Sequence, residues 1–161
     1  MKKIYFLLAV LFILNITQLV YSQNLKAQLK EQIVQEGAEK ANKEFIENFF
    51  TYPNTKQRYD QIKPLMTAIG FSSALPSEID LPQYNENTPS VSSKMSKLQP
   101  FQYAIDKDKA EFINQFNVST SFNNVETSQT IIVHTVLLYS EEKGWQVDDV
   151  QFITTIGNEN K

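Results

Sequence analysis

The sequence predicts an α+β fold in which N-terminal helices pack on one side of an antiparallel sheet. Residues 127–156 hold two runs of β-branched and apolar residues around a polar loop, Ser140–Gly144, which is typical of a β-hairpin. Apolar residues recur at every fourth position from about Leu25 to Phe50, which indicates one long amphipathic helix. Because a lone hairpin is only marginally stable in water, we expect this helix to cover one face of the strands.

The first 22 residues have the pattern of a leader. Two lysines precede a nearly unbroken apolar run from Ile4 to Leu14, and Ser22 provides a small residue for cleavage, as in a signal peptide. The same stretch, extended to Tyr21, would measure about 27 Å as a helix, which is close to the ~30 Å of a bilayer core. We therefore expect residues 1–22 to be a signal peptide or an N-terminal membrane anchor. The single α+β domain, residues 23–161, is expected on the extracytoplasmic side of the cell envelope, membrane-anchored or secreted.

The two halves of the long helix have different expected roles. The C-terminal end carries most of the apolar weight and is expected to pack on the sheet; it contains Phe45, Ile46, Phe49 and Phe50. The first half presents Leu25, Leu29 and Ile33 on one face. We expect that half either to lead up from the membrane or to contact another protein. Pro53 ends the helix because proline cannot continue the hydrogen-bond ladder.

The middle of the chain is predicted to be a second helix followed by a loop. Thr55–Ala68 has helical spacing of apolar residues, and Pro64 is expected to kink this helix or to end its first half. Residues 75–99 hold three prolines and few apolar side chains, which favours a long ordered loop, with or without an edge strand. Residues 76–97 of this loop, with Tyr84, are the second candidate contact surface for another protein.

Two strands are predicted ahead of the hairpin, so that the sheet has at least four strands. Residues 98–105 alternate in part between apolar and polar, and residues 110–122 alternate better, with Phe112, Phe116 and Val118 on one face. The first strand of the hairpin is substantially apolar on both faces, as expected for a central strand that is covered on both sides.

Composition excludes several classes of function. The chain has no cysteine, so disulfides, thiolate metal sites and cysteine nucleophiles are impossible. Its formal net charge is −3, without the basic patch of a nucleic-acid-binding surface, and direct binding to nucleic acid is not expected. The sequence has no G-x-G-x-x-G, no G-x-S-x-G and no pair of histidines. We therefore expect no cofactor, no metal and no catalytic residues.

Few polar residues could serve a ligand. His134 is the single histidine and lies in a core strand, where packing or one hydrogen bond would satisfy it. Asp148 and Asp149 point to opposite faces of a strand. One that faced inward could act as a general base if burial raised its pKa, or both could mark a bulge. With Tyr103, these residues form the candidate pocket.

Two long stretches of the chain resemble a known family. KANKEFIENFFTYPNTKQRYDQIKPLMTAIGF and FNNVETSQTIIVHTVLLYSEEKGWQVDDVQFI, together with the short basic leader, are similar in order and spacing to the TcpC-type conjugation proteins of Gram-positive plasmids and integrative elements. The resemblance implies a fold like nuclear transport factor 2 (NTF2-like), a cone-shaped, curved antiparallel sheet with helices across its concave side. It also implies a relationship in fold to the inner-membrane scaffold subunit of type IV secretion systems.

The function implied by the resemblance is structural. It is that of a non-enzymatic interaction subunit of a conjugative mating channel at the cell envelope, with other channel proteins, the membrane and further copies of itself as partners. Many TcpC-type proteins carry two such domains and this chain has room for one, so a full scaffold and a small accessory subunit both stay open. The alternatives are an exported small-ligand-binding or isomerase-like domain that uses the interior of the cone, and a secreted immunity or effector-like protein.

Overall fold

The computed structural model describes residues 2–75, 91–122 and 125–157. In chain order the elements are helix α1 (Lys2–Phe50), helix α2 (Thr55–Ile62), a 3-10 turn (Lys63–Leu65), helix α3 (Ala68–Ala74), and strands β1 (Val91–Ile105), β2 (Lys109–Phe122), β3 (Val125–Ser140) and β4 (Gly144–Gly157). The chain divides into two compact units, Met1–Glu36 and Gly37–Lys161, and helix α1 contributes residues to both.

The unit Met1–Glu36 is helical from Lys2 onward, so the predicted leader and the start of the predicted amphipathic helix belong to one continuous helix. Leu25, Leu29 and Ile33 are exposed. No helix within residues 2–75, 91–122 and 125–157 combines the length and the hydropathy needed to cross a membrane. The signal peptide or anchor over residues 1–22 stays a prediction.

The unit Gly37–Lys161 is built on a curved, open sheet of four strands. The strand order is β1-β2-β3-β4, and every neighbouring pair is antiparallel. This arrangement confirms the predicted α+β fold with at least four strands. The pairing of β2 with β3 is regular along its whole length, from Lys109 opposite Leu138 to Phe122 opposite Val125. Regular pairing keeps alternate residues of both strands on the same face.

The core lies between the C-terminal part of α1 and one face of the sheet, called here the inner face. Phe45 and Phe49 are buried, and the ring of Phe50 lies 4.6 Å from that of Phe116 on β2, measured between ring centroids. Val133 of β3 is fully buried in the same cluster. The prediction that this end of the helix packs on the sheet is therefore confirmed. Each fully buried phenylalanine contributes about 1.5–3 kcal/mol by leaving water.

Strand β3 was expected to be buried on both faces, but the structure buries it on one face only. The buried residues of the strand alternate along it: Ile131, Val133, Thr135 and Leu137. On the opposite face, called the outer face, Ile132 and Val136 are half-buried and Leu138 is exposed. Apolar composition on both sides of this strand therefore does not correspond to two covered faces in this chain.

Residues 91–99 lie in β1, at the edge of the sheet, so this part of the predicted loop region is the edge strand that the prediction allowed for. The strand is polar, and its start is held mainly by hydrogen bonds. The backbone of Ser93 exchanges two hydrogen bonds of 2.9 Å with Tyr52, and its Oγ donates to the carbonyl of Phe50 at 2.9 Å. A strand that is held in this way needs little apolar alternation, which is why the pattern did not show where it begins. Residues 76–90, with Tyr84, lie outside the described residues.

The second predicted helix is interrupted at Pro64, as expected. Helix α2 ends at Ile62, Pro64 lies in the 3-10 turn, and α3 begins at Ala68. Thr67 caps α3, since its Oγ1 accepts a hydrogen bond from the backbone N–H of Gly70 at 3.0 Å. Phe71 also belongs to α3 and is half-buried.

Helix α3 packs closely on β4 through Gly70. A Cβ atom at this position would lie 2.5 Å from the carbonyl oxygen of Asp148 and 2.8 Å from that of Val147. Both atoms belong to backbone, which cannot rotate away as a side chain can. We expect Gly70→Ala to lower the free energy of unfolding by about 1–3 kcal/mol. Urea denaturation of the full-length protein measures this loss.

The matched control is Gly157→Ala, where an added Cβ would meet no heavy atom within 4 Å. This variant should stay within about 0.5 kcal/mol of the wild type. Equal unfolding free energies for the two variants would show that α3 does not contact β4 at Gly70.

Candidate functional site

A cluster of polar side chains lies on the outer face of the sheet, on neighbouring strands. Glu111 of β2 stands between Lys109 and His134: its carboxylate oxygens lie 2.6 Å from Lys109 Nζ and 2.9 Å from His134 Nε2. The ring of Tyr103 meets that of His134 edge to face, with the centroids 6.1 Å apart. The structure thus brings together two of the predicted pocket residues, Tyr103 and His134, and adds Lys109 and Glu111, which sequence reasoning missed.

The register explains the position of this outer-face cluster. His134 is opposite Ile113 and Glu111 is opposite Val136, so Glu111 and His134 are diagonal neighbours on one face. The neighbours of His134 along β3, Val133 and Thr135, are buried on the inner face. His134 therefore faces away from the interior, although its strand is central.

Electrostatics favour a charged carboxylate in this cluster. The hydrogen bond from Lys109 is the main cause that lowers the pKa of Glu111 below its ordinary value of 4.5; partial desolvation opposes the shift, and the hydrogen bond with His134 adds to it. A carboxylate with a lowered pKa is a weaker base. The arrangement therefore suits a fixed ion pair on the surface better than proton transfer.

The two adjacent aspartates have separate positions. The register of β3 and β4 shifts between Val136 and Leu137, which makes Asp148 the extra residue of a bulge. Its Oδ1 accepts a hydrogen bond of 2.5 Å from Thr67 Oγ1, and so ties β4 to the cap of α3. Asp149 is opposite Val136 on the outer face and accepts a hydrogen bond of 2.7 Å from the side-chain amide of Gln151. The interpretation of this pair as a bulge therefore matches the structure.

The interior holds a polar network that sequence reasoning missed. Asn42 of α1, Asn114 of β2 and Thr135 of β3 are each fully buried. The amide of Asn42 donates to Asn114 Oδ1 at 2.7 Å, and the hydroxyl of Thr135 donates to Asn42 Oδ1 at 2.6 Å. The amide of Asn114 donates to Thr135 Oγ1 at 3.0 Å and to Asn42 Oδ1 at 3.3 Å. We call these three residues the buried polar trio.

The sequence contains a signal from which two members of the buried polar trio could have been found. Asn114 lies midway between Phe112 and Phe116, at an inward position of an alternating strand, and Asn42 lies one turn before Phe45 on the buried side of the helix. Polar residues at such positions are hydrogen-bonded in folded proteins. The trio and the phenylalanines around it occupy the space between helix and sheet.

Within the described residues, no group of three histidine, aspartate or glutamate side chains is placed to hold a metal ion. Tyr103, His134 and Asp149 lie on the outer face, and Asp148 lies at the bulge. The four residues of the candidate pocket therefore do not converge on the interior of the sheet.

Comparison with known families identifies this architecture. The model of the YddI NTF2-like domain matches residues 34–154, which is three quarters of the chain. The chain belongs to the YddI NTF2-like domain family. The NTF2-like part of the expectation from the resemblance is thereby confirmed.

The chain is similar in sequence to one known protein and in fold to another. The chain is 37% identical over 110 residues to the uncharacterized protein YddI of Bacillus subtilis (strain 168), and the matched region is 68% of this chain and 62% of that protein. In fold it is similar to an IcmL-like type IV secretion system protein of Legionella pneumophila, known from a crystal structure. The TM-score is 0.52 with 17% identity, over 75% of this chain and 92% of the other.

The YddI NTF2-like domain contains the outer-face cluster and the buried polar trio. Its matched range begins at residue 34, one residue after Ile33. The candidate contact surface of Leu25, Leu29 and Ile33 therefore precedes the family domain. All three side chains are exposed, at 45%, 50% and 68%.

Proposed function

We propose that this chain is a non-enzymatic structural subunit of a conjugative type IV secretion channel, of the TcpC type. The observation that carries the proposal is the likeness in fold to the IcmL-like type IV secretion protein, which extends over 92% of that protein. The resemblance of two long sequence stretches to TcpC-type proteins supports the same assignment independently.

The way in which side chains fill the fold supports a role in protein contacts. Phe45, Phe112 and Phe116 are buried to 1% exposure or less, and the buried polar trio satisfies its own hydrogen bonds. Other large apolar side chains are exposed, among them Ile33 on α1 and Phe101 on β1. A subunit of this kind works by presenting surfaces to other channel proteins, and its net charge of −3 is not suited to binding DNA directly.

The N-terminal segment is the basis for the proposed cellular location of the domain. Residues 1–22, with two lysines before the apolar run, would direct the remainder of the chain across the membrane and either stay as an anchor or be removed. Leu25, Leu29 and Ile33 follow directly. In the anchored form they would lie close to the membrane, where neighbouring channel subunits also cross.

Mating experiments test this proposal. Deleting the gene from donor cells that carry the native mobile element should abolish transfer, and the full-length chain supplied in trans should restore it. The double variant Leu29→Glu, Ile33→Glu should restore transfer poorly, because it places charge on the proposed contact surface. Gln28→Glu, which adds a charge at an exposed polar position of the same helix, should restore transfer fully.

Crosslinking in the same cells supplies the second readout. Since the chain has no cysteine, Ile33→Cys provides one defined attachment point for a bifunctional maleimide. We expect conjugates with other transfer proteins, identified by mass spectrometry. Undiminished transfer by the deletion strain, or conjugates that contain no transfer protein, would contradict the proposal.

A further inference from the structure

Arg58 is the only arginine in the chain, and it lies on α2, beside the end of α1. Its guanidinium carbon, Cζ, stands 3.8 Å from the centroid of the Phe49 ring. The rings of Tyr52 and Tyr59 flank the group, with centroids 5.4 Å and 5.5 Å from the same carbon. Arg58 is half-buried, whereas Phe49 and Tyr59 are buried. Contact with these rings restricts the rotamers of Arg58, so the guanidinium is positioned before any ligand arrives.

The donors of this guanidinium lack hydrogen-bond partners. An arginine side chain carries five N–H donors and no acceptor. The Nε of Arg58 is buried and has no hydrogen-bond partner among the described residues. Within the same residues, Lys43, Lys56 and Lys109 each pair with a carboxylate, and no ion pair includes Arg58. The one arginine of the chain is therefore the cation that is partly withdrawn from water without a neutralising acid.

Packing alone does not account for an arginine at this position. A methionine or the stem of a lysine would also cover the Phe49 ring, without the five donors. Buried donors in folded proteins are rarely unpaired, and each unpaired one requires an explanation, such as a bound ion. Charge points in the same direction, because a cation that has lost part of its hydration gains more from pairing with an anion than an exposed cation does.

We infer that Arg58 binds a carboxylate of another polypeptide. The planar guanidinium matches the two oxygens of a carboxylate, and Arg58 is half-buried, so part of its side chain stays accessible to a partner. The inference is independent of the proposed function, because it holds whether or not the partner belongs to a secretion channel.

Charge balance favours a carboxylate over a phosphate group. Arg58 supplies one positive charge. Lys56, on the same helix, is already paired with Asp60 at 3.1 Å. A phosphate monoester carries up to two negative charges and is typically bound by clusters of arginines, whereas one guanidinium is sufficient for a carboxylate.

Nuclear magnetic resonance of the full-length protein in mild detergent tests the site, because one arginine gives one Nε–H signal. Lys94→Arg adds a second arginine at an exposed position of β1, and its signal reports ordinary association of anions with an exposed guanidinium. Sodium acetate is the probe, and sodium chloride at equal ionic strength is the reference. We expect the Arg58 signal to saturate at an acetate concentration at least about tenfold lower than that of the introduced arginine.

Equal acetate dependence of the two signals would overturn the inference. Tighter binding of sodium phosphate than of acetate at the Arg58 signal would overturn the choice of a carboxylate. Once acetate binding is measured, a dilution series without acetate identifies the source of the natural carboxylate. An Arg58 signal that shifts with protein concentration indicates a second copy of the chain, and a constant signal indicates a different protein.

Thermal unfolding separates binding from packing. Arg58→Met keeps a long side chain over Phe49 but removes the charge and the donors. At about ten times its dissociation constant, acetate should raise the Tm of the wild type by about 3–6 °C over chloride, and it should not raise that of Arg58→Met. Lys56→Met, which removes an exposed, paired cation from the same helix, should keep the full response. An equal rise for Arg58→Met and the wild type would refute the inference, and the two-arginine comparison decides it if Arg58→Met does not fold.

Discussion

Phe45→Ala is expected to lower the free energy of unfolding by about 3–5 kcal/mol. Phe45 is fully buried, and its ring lies 5.2 Å from that of Phe49, between centroids, in the cluster that joins α1 to the sheet. Removing the ring forfeits its transfer from water and leaves a cavity that neighbouring backbone cannot close. Since a domain of this size has only about 5–15 kcal/mol of stability, a substantial part of the total would be lost.

Urea denaturation followed by fluorescence of the single tryptophan, Trp145, provides the measurement. Trp145 reports on this region because its indole lies 3.3 Å from where a Cβ of Gly37 would stand on α1. Phe101→Ala is the matched control: the same ring is removed from an exposed position of β1. Its effect should be about 0.5 kcal/mol. Comparable losses for both variants would show that the helix does not pack on the sheet through Phe45.

The parts of the fold that could be predicted are those in which apolar periodicity and burial coincide. Four-residue spacing through Phe45 and Phe49 located the helix face that packs on the sheet, and alternation through Phe112 and Phe116 located the inner face of β2. The start of β1 could not be found in this way. It is held by backbone pairing of Ser93 with Tyr52, which leaves no apolar signature.

The candidate site shows a second reason why sequence reasoning falls short. Alternation places His134 in a central strand but does not say which of two apolar faces is covered; the structure places it on the outer face, beside Tyr103. Glu111 joins the cluster through its contact with His134, which is its diagonal neighbour on the adjacent strand. Such a contact depends on register, and register is not encoded locally around either residue.

Asn42→Ala is expected to lower the free energy of unfolding by about 2–4 kcal/mol, because two buried groups lose partners at once. The hydroxyl of Thr135 and the side chain of Asn114 both bond to Asn42 in a region without exposure to solvent. Asn48→Ala removes an amide on the same helix that donates to the exposed carbonyl of Glu44 and should cost less than about 1 kcal/mol. Urea denaturation of both variants measures the difference.

The origin of this cost can be separated from loss of volume. Asn42→Leu alone retains volume but leaves Asn114 and Thr135 short of hydrogen bonds, and should be as destabilising as Asn42→Ala. Adding Asn114→Leu and Thr135→Val removes the unpaired groups, and replacing all partners by apolar groups of similar shape can be nearly neutral. The triple variant should therefore be more stable than Asn42→Leu alone. If it is less stable, the trio holds the helix on the sheet through the shape of its members, and the hydrogen bonds are secondary to that fit.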